Sequence, residues 1–515
     1  MSKKFYVTTP IYYVNALPHI GHAYTTICAD ALARYYRGKL GKEHVHFLTG
    51  TDEHGQKIQK AAQEQGKTPQ QFVDEVSAKF RGLWDEFEIS YDDYIRTTDP
   101  RHKKVVQQVL DILYKKGDIY ESEYKGCYCQ PCESFWVESQ VTGEACPDCK
   151  RPIERIREKN FFFRISKYQD WLVKHIEANP DFVRPQIRRN EVLSFLKLNT
   201  LTDLCISRPV ERLSWGIPLP FAPNHVTYVW FDALINYISA VGEFDDKGVY
   251  HSDWWPADLH LIGKDILRQH AIYWPIMLKA LGIEPAKTVF AHGWWLMGDT
   301  KMSKSLGNVV NPIEMARKYG VDVFRYFLFR DVPFGLDGNF SEEAIVRRFN
   351  DDLANDLGNL VYRTLTMDEK YFGGKVPAVE RSRLAADPLT KDIIAFADGL
   401  DRGLAEVFTP ENNFDFSKAL ERIWALINMA NKHVENIKPW NLAKENRTKE
   451  LENFIRLLVE VIRDVHTTVG PFMPRTAALI GAQIGSDTIN KGAPLFPRIE
   501  TKPKEAKPKE TKPKR

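Results

Sequence analysis

Residues 4–22 read KFYVTTPIYYVNALPHIGH, and this stretch decides the fold of the N-terminal half. β-Branched and aromatic residues dominate residues 4–9, which is typical of a short buried strand. Apolar side chains then recur at helical spacing over residues 21–38. A strand that passes through Pro18-His19-Ile20-Gly21-His22 into a helix predicts a βα unit, and the N–H groups of that helix end suit an anion.

The same alternation continues along the first half of the chain. Further strands are predicted over residues 44–49, 225–231, 258–262 and 288–291, and helices over residues 69–84, 100–116, 232–241 and 265–281. Such alternation predicts a parallel sheet that binds ligands at the carboxyl ends of its strands. We therefore predict an α/β fold with a split Rossmann-type nucleotide-binding domain. Its halves are residues 1–116 and 225–292, and a turn-rich, irregular insertion over residues 117–224 separates them.

Beyond residue 350 the apolar spacing becomes helical throughout. It predicts an all-α bundle over residues 351–490, in which Lys438-Pro439 ends a helix because proline cannot continue one. Residues 491–515 are predicted to be a disordered basic tail. The tail either attracts RNA without reading its sequence or is simply solvated.

Bulk composition limits the class of protein. The chain has 515 residues, of which 43% are hydrophobic and 27% charged, as in ordinary multidomain soluble proteins. No apolar run is long enough to span a membrane, and no apolar signal region follows Lys3-Lys4. We therefore expect a cytoplasmic protein without a membrane partner.

Five of the seven cysteines lie between residues 127 and 149. Cys129, Cys132, Cys146 and Cys149 form two Cys-x-x-Cys pairs, the spacing of a structural zinc site with four thiolate ligands. Plain reduced cysteines are the alternative, and Cys127 is expected to take no part. The insertion is thus predicted to carry one zinc ion, with no open coordination position for catalysis.

Two short motifs suggest phosphate chemistry. His19 and His22 lie on one face at the start of a helix, and their N–H groups can bind phosphate, while Gly21 permits close approach of a ligand. Lys301 and Lys304 lie in the loop Lys301-Met302-Ser303-Lys304-Ser305 and can neutralise a polyphosphate. Taken separately, the histidines could bind a metal or simply pack, and the lysines could be solvated.

Together and in this order, the two motifs resemble the signatures of class I aminoacyl-tRNA synthetases. Within that class the chain is similar to the methionine-specific family from about Phe5 to Pro474. The blocks that carry this similarity are Thr9–Asn15, Thr51–Gly55, Tyr228–Ala233 and Gly263–Ile266.

The resemblance implies that L-methionine is activated by ATP, with Mg²⁺, and then transferred to tRNA. It makes His19, His22, Lys301 and Lys304 catalytic, and it places ATP on His19, Gly21, His22, Asp265 and Lys304. Because the methionine carboxylate is already ionised, no general base is expected. The resemblance assigns the methionine pocket to Ile11, Tyr13, Asp52, Trp230, Ala233, Leu234, Tyr237 and His270.

The resemblance also implies that residues 293–350 contain the lysine signature loop and a region that contacts the tRNA stem. It further implies that the helical bundle is an anticodon-binding domain. Asn359, Arg363 and Trp440 are expected to read the anticodon of tRNA(Met), including the initiator. Alternatively, Trp440 packs the end of the bundle and Arg363 forms a surface ion pair. No further C-terminal domain is visible, so we expect a monomer.

Three other functions fit the sequence less well. A leucine, isoleucine or valine enzyme would need a large editing domain, for which the insertion is too short. A nucleotidyltransferase that does not act on tRNA would need no anticodon reader. The intact histidine and lysine motifs argue against a silent RNA-binding relative.

Overall fold

The computed structural model describes residues 3–15, 17–129, 134–136, 141, 143–147, 150–298, 300–301 and 310–500. The chain forms two compact units. One comprises Met1–Phe340 and Arg402–Leu420, and the other Ser341–Asp401 and Glu421–Arg515. None of the described helices combines the length and apolar composition that crossing a bilayer requires.

The strands of the described residues follow in chain order: β1 (Phe5–Tyr13), β2 (Val45–Asp52), β3 (Asp93–Arg96), β4 (Ile119–Cys129), β5 (Ser134–Trp136), β6 (Glu154–Phe163), β7 (Val183–Arg184), β8 (Leu204–Cys205), β9 (Ser207–Pro209), β10 (Pro218–Leu219), β11 (Ala222–Thr227), β12 (Gly242–Phe244), β13 (Tyr250–Ser252), β14 (Leu259–Gly263), β15 (Val289–His292), β16 (Trp295–Met297), β17 (Thr300–Lys301) and β18 (Gly338–Asn339).

The α-helices of the described residues follow in the same way: α1 (Ile20–Leu40), α2 (Gln56–Glu64), α3 (Pro69–Glu86), α4 (Pro100–Lys115), α5 (Gln169–Ala178), α6 (Gln186–Leu198), α7 (Val229–Leu234), α8 (Asn236–Ser239), α9 (Trp274–Leu281), α10 (Pro312–Tyr319), α11 (Val321–Arg330), α12 (Glu342–Arg348), α13 (Asn359–Phe372), α14 (Arg381–Ala386), α15 (Lys391–Val407), α16 (Phe416–Ile437), α17 (Pro439–Lys444), α18 (Thr448–Val469) and α19 (Pro474–Gln483).

The larger unit is built on a six-stranded sheet in the order β3-β2-β1-β14-β15-β7. Every neighbouring pair in it is parallel, which confirms the predicted parallel sheet. From β1 the chain steps outward through β2 to β3, and much later it returns on the other side through β14 to β15. The order reverses between β1 and β14, and open sheets of this kind bind ligands at such a reversal.

Two predictions about the insertion and the second half were wrong. The strand predicted over residues 225–231 spans Ala222–Thr227 and pairs antiparallel with β9 and β10, outside the parallel sheet. The supposedly irregular part of the insertion contains α5, α6 and β7, and β7 forms the edge of the parallel sheet beside β15. Each of these helices has only a few buried apolar residues, so its periodic signal is weak.

The smaller unit is helical, which confirms the predicted helical C-terminal region. α18 buries one apolar stripe at helical spacing, formed by Leu451, Ile455, Leu458, Ile462 and Val465. The helix break also falls as predicted, because α16 ends at Ile437 and Pro439 opens α17. Lys438 between them takes a left-handed conformation with φ of 51°.

A buried ion pair connects α1 to α11 in the larger unit. Asp30 and Arg325 are both fully buried, and Arg325 Nη2 donates to Asp30 Oδ2 at 2.7 Å. Asp30 also accepts from Arg34 Nε at 2.8 Å and from the N–H and hydroxyl of Ser90. Burial by itself would raise the pKa of Asp30, but the two guanidinium groups and Ser90 outweigh it and hold the pKa below its usual value.

We expect Arg325→Met to lower the free energy of unfolding by roughly 3–5 kcal/mol, because it leaves a buried carboxylate without its fully buried counter-charge. The matched variant Arg34→Met removes a partly exposed partner of the same carboxylate and should cost about 0–1 kcal/mol. Urea unfolding followed by tryptophan fluorescence measures both. Equal losses in the two variants would contradict the importance given to the buried pair.

Candidate active site

The candidate site lies where four strands of the parallel sheet end. Tyr13, Asp52, Gly263 and His292 are the last residues of β1, β2, β14 and β15. Parallel strands bring their carboxyl ends to one edge of the sheet. The end of β1 leads to the start of α1 at Ile20, so the predicted histidine motif belongs to the same edge.

The two histidines of the motif cap α1. His19 Nδ1 accepts from the N–H of Gly21 at 3.1 Å, and His22 Nδ1 accepts from the N–H of His19 at 3.3 Å. The rings stack with their centroids 3.8 Å apart. A nitrogen that accepts carries no proton, so each neutral ring has its hydrogen on Nε2. Both residues therefore offer Nε2–H donors at the positive end of the helix dipole.

Gly21 lies directly beneath the ring that caps the helix. A Cβ atom at residue 21 would lie 3.0 Å from Cε1 and 3.1 Å from Nδ1 of the His19 ring. Such contacts are tighter than ordinary packing, so a side chain here would require the imidazole to shift by a few tenths of an ångström. The glycine thus has a structural reason within the motif itself, beyond the predicted approach of a ligand.

His292 connects the end of β15 to α1, a contact that the sequence did not predict. Its Nδ1 donates to the carbonyl of Gly293 at 2.7 Å, and its Nε2 lies 2.7 Å from the hydroxyl of Thr25. Burial lowers the pKa of His292, so the ring is neutral and Nε2 accepts from Thr25. The second half of the sheet is thereby joined to the helix that carries the histidine motif.

Tyr237 and His270, both predicted for the methionine pocket, form a buried pair. The Tyr237 hydroxyl lies 2.7 Å from His270 Nε2, and His270 Nδ1 lies 2.9 Å from the carbonyl of Ile266. Because a carbonyl only accepts, the proton is on Nδ1 and the tyrosine donates to Nε2. Burial lowers the pKa of His270 to about 4, so this side of the site is uncharged at neutral pH.

The remaining apolar pocket candidates divide between the end of β1 and α7. Ile11 and Tyr13 are half-buried on β1, and Ile11 packs against the core cluster that contains Leu234 and Tyr237. On α7, Ala233 and Leu234 are buried, whereas Trp230 remains half-buried. Leu234 and Tyr237 thus belong to the main apolar core of this unit, and Ile11 packs against that core.

Asp52, predicted to bind the substrate ammonium, is 6% exposed at the end of β2. The next residue, Glu53, is fully buried and receives Arg96 Nε at 2.7 Å and Arg96 Nη2 at 2.9 Å. Thr51 and Thr98 also donate to the Glu53 carboxylate. Glu53 therefore fixes the segment that follows Asp52, a role for which the block Thr51–Gly55 gives no local signal in the sequence.

Asp232 on α7 is a second residue that sequence reasoning left without a role. Its carboxylate lies between two histidines, with Oδ2 2.6 Å from His54 Nδ1 and Oδ1 2.7 Å from His102 Nε2. All three side chains are buried. The partners lie 178 and 130 residues apart in sequence, so no local pattern pointed to them.

Asp265, predicted for the ATP ribose, lies in the turn Lys264–Ile266 directly after β14. It is exposed, and its Oδ1 accepts from the indole N–H of Trp294 at 3.1 Å. The neighbouring Lys264 forms an ion pair with Asp337 at 2.6 Å. The carboxylate is thus held by Trp294 at the carboxyl edge of the sheet.

The predicted lysine loop is described only at its start. The backbone of Lys301 belongs to β17 and pairs with Leu296 of β16, which follows β15 closely. The side chain of Lys301 and the whole of Lys304 lie outside the described residues.

The predicted zinc ligands are described in part. Cys129 ends β4 and Cys146 is buried, whereas Cys132 and Cys149 lie outside the described residues. The N–H of Cys146 donates to the carbonyl of Arg151, and the carbonyl of Cys146 accepts from the N–H of Lys150, so these bonds close a tight turn between Cys146 and Arg151. This turn fits a Cys-x-x-Cys metal knuckle, although the described residues by themselves contain no group of three metal-binding side chains.

The predicted anticodon residues all belong to the helical unit. Asn359 and Arg363 lie one turn apart on α13, where Asn359 is exposed and Arg363 half-buried. Trp440 on α17 is 43% exposed. An aromatic side chain with that much exposed surface is available for stacking.

Comparison with known proteins agrees with this geometry. The family model described as tRNA synthetases class I (M) matches residues 5–155 and 151–365. The chain is 47% identical to a methionine–tRNA ligase of Caldanaerobacter subterraneus, across 98% of this chain and 80% of the relative. It is 45% identical to one of Thermotoga maritima, across 97% and 81% respectively.

Among solved structures, the chain is similar to Mycobacterium tuberculosis methionyl-tRNA synthetase in complex with methionyl-adenylate. The TM-score is 0.89 at 40% identity, across 96% of this chain and 100% of that one. The apo form of the same enzyme gives a TM-score of 0.83 at 37% identity, across 98% and 99%. The parallel sheet and the histidine motif at the start of α1 are those expected from these matches. The chain belongs to the methionine-specific family of class I tRNA synthetases.

Proposed function

We propose that this chain is a methionine–tRNA ligase that activates L-methionine with ATP to methionyl-adenylate and then transfers the methionyl group to tRNA(Met), including initiator tRNA, in protein biosynthesis. The observation that carries this proposal is the pair of imidazoles of His19 and His22 at the carboxyl edge of the sheet, whose Nδ1 atoms accept from backbone N–H groups and whose hydrogens are therefore on Nε2. The neutral Tyr237–His270 pair belongs to the same unit and suits an apolar substrate side chain.

In the first step, a methionine carboxylate oxygen attacks the α-phosphorus of ATP, and the bond to the β-phosphate breaks to release pyrophosphate. No proton must be removed, so the site has to position the reactants and stabilise phosphate charge. His19 and His22 would donate to the triphosphate, and Asp265 would bind the ribose. Lys304, assisted by Lys301, would bind the leaving phosphates, and Mg²⁺ would arrive with the nucleotide.

Methionine would be held by one charged contact and a neutral pocket. Asp52 would accept from its ammonium group at the end of β2. Aromatic rings attract a thioether sulfur by roughly 0.3–1.5 kcal/mol. Trp230 and Tyr237 would provide such rings, and Ile11, Tyr13, Ala233, Leu234 and His270 would complete the lining.

In the second step, the terminal ribose 2′-hydroxyl of tRNA attacks the adenylate carbonyl, the acyl–phosphate bond breaks, and AMP leaves as its phosphate takes up the hydroxyl proton. Asn359, Arg363 and Trp440 of the helical unit would recognise the anticodon. Residues 293–350 would contact the stem of the tRNA. We propose a cytoplasmic monomer, in line with its role in translation.

The insertion would bind one structural zinc ion through Cys129, Cys132, Cys146 and Cys149. Bound zinc would stabilise the fold of the insertion and take no part in the reaction. The tight turn around Cys146 and the burial of Cys129 support this assignment. Cys127, although buried two residues before Cys129, would not be a ligand.

The role of the histidine pair is tested by methionine-dependent ATP–pyrophosphate exchange. We expect His22→Ala to slow exchange by about 10²–10³-fold, the usual cost of removing a donor to developing charge. His22→Gln keeps a side-chain N–H and should recover part of the rate. The control His251→Ala removes an exposed histidine of the same unit and should leave exchange unchanged. Normal exchange in His22→Ala would contradict the proposal.

Zinc content tests the cysteine assignment independently of activity. Elemental analysis of the purified chain should give about one zinc per chain, and Cys146→Ser should lose most of it because each thiolate is one of four ligands. Cys127→Ser is the matched control, since it removes a neighbouring buried thiol and should retain the metal. A wild-type ratio near zero would refute the site.

The anticodon role predicts a difference between the two steps. Trp440→Ala should lower kcat/KM for tRNA by roughly 5- to 150-fold, as expected for loss of about 1–3 kcal/mol of base stacking, and leave exchange unchanged. Leu479→Ala, which removes another exposed apolar side chain of the helical unit, serves as the control for both assays. Equal loss of aminoacylation and exchange in Trp440→Ala would count against anticodon reading.

A further inference from the structure

The helix α7 carries three of the eight residues proposed for the methionine pocket, Trp230, Ala233 and Leu234, but is too short to hold its own position. It has six residues, and no side chain caps its N-terminus. Isolated helices of this length are unstable, so tertiary contacts must fix it. Asp232 is the one charged residue in its sequence, Val-Trp-Phe-Asp-Ala-Leu, and it points into the interior with 0% exposure.

The Asp232 carboxylate is bound on both oxygens. His54 Nδ1 donates to Oδ2 at 2.6 Å, and His102 Nε2 donates to Oδ1 at 2.7 Å, since a carboxylate only accepts. Burial by itself would raise the pKa of Asp232, but the two histidines outweigh it and lower the pKa to about 2. The charge is therefore retained in the interior because two imidazoles are aimed at it.

Each histidine belongs to a different part of the site. His54 lies two residues after Asp52, in the turn that Glu53 and Arg96 fix. The indole N–H of Trp215 also donates to the carbonyl of Glu53 at 2.6 Å. One oxygen of Asp232 thus connects α7 to His54, in the segment that directly follows Asp52, the residue proposed to bind the methionine ammonium.

His102 extends the connection from α7 to α8, the next helix along the chain. It lies in the first turn of α4, and its Nδ1 is 2.8 Å from the hydroxyl of Ser239 at the end of α8. The same helix α8 carries Tyr237, the partner of His270. His102 is therefore in contact with both helices that line the pocket, through Asp232 on α7 and Ser239 on α8.

We propose that Asp232, His54 and His102 are positioning residues that set the distance between Asp52 and the pocket wall formed by α7 and α8, and thereby the affinity for methionine. This inference rests on the proposed function, because it takes the pocket to be the methionine site. The ATP contacts assigned to His19, His22 and Asp265 lie on α1 and on the turn after β14. A change in the Asp232 cluster should therefore affect methionine and spare ATP.

The test measures KM for methionine and for ATP separately in pyrophosphate exchange. We expect Asp232→Asn to raise KM for methionine by about tenfold or more, because small displacements in a site have effects of up to about 10²-fold. KM for ATP should stay within about twofold, as expected when only one substrate's contacts are removed. Calorimetric titration with methionine alone should show the same weakening.

Variants that keep or remove the N–H donor at each histidine separate the effect of the hydrogen bond from the effect of a changed side-chain volume. His54→Asn and His102→Gln each keep an N–H near the donating ring nitrogen and should stay close to wild type in KM for methionine. His54→Leu and His102→Leu remove the donor and should behave like Asp232→Asn. If KM for methionine rose equally in the donor-retaining and donor-lacking variants, the hydrogen bonds would not be the contacts that position α7 and α8.

Asp30→Asn is the matched control, because Asp30 is another fully buried carboxylate of the same unit that binds two cations. It should lower the melting temperature and leave KM for methionine unchanged. An unchanged KM for methionine in Asp232→Asn would overturn this inference alone, provided that the wild type exchanges with methionine. Absence of methionine-dependent exchange in the wild type would instead overturn the proposed function.

Discussion

The candidate site exists because β1 has two parallel neighbours drawn from distant parts of the chain. Phe5 pairs with Val45 of β2, and Val7 pairs with Leu259 of β14. A slip by one residue would turn every side chain to the opposite face, so this pairing needs a fixed register. Thr8 and His260, which are paired across the strands, provide it through a buried contact of 2.7 Å between the hydroxyl and Nδ1.

Charge in the interior of this unit follows one rule. Burial lowers the pKa of His260, His270 and His292, so these rings serve as neutral donors and acceptors. Burial would likewise neutralise Asp30 and Asp232, but each carboxylate faces cations or imidazole donors that hold its pKa below the usual value. The polar groups around the site thus have settled proton positions, which suits a site that must orient substrates rather than move protons.

Sequence reasoning reached the parts of this protein that have local signals. The parallel sheet, the helix break at Pro439 and the position of the histidine motif at the start of α1 follow from periodicity, proline chemistry and a motif. It failed where the signal is short or distant: β7 has two residues, and β11 was assigned to the parallel sheet because a strand pattern does not name its partners. The contacts of Asp232 join residues more than a hundred positions apart, which only the fold brings together.

The distant polar contacts explain how an activation step without a general base would be organised. Buried ion pairs contribute little net stability compared with well-packed apolar side chains, because desolvation offsets their attraction. Their value lies in requiring one arrangement, since an apolar contact tolerates sliding and a two-sided carboxylate does not. Asp232 imposes such an arrangement on α7, as His292 does on α1 through Thr25. The elements proposed to bind methionine and ATP are therefore each tied to another part of the same unit by directional bonds, and their separation is set by the fold before either substrate arrives.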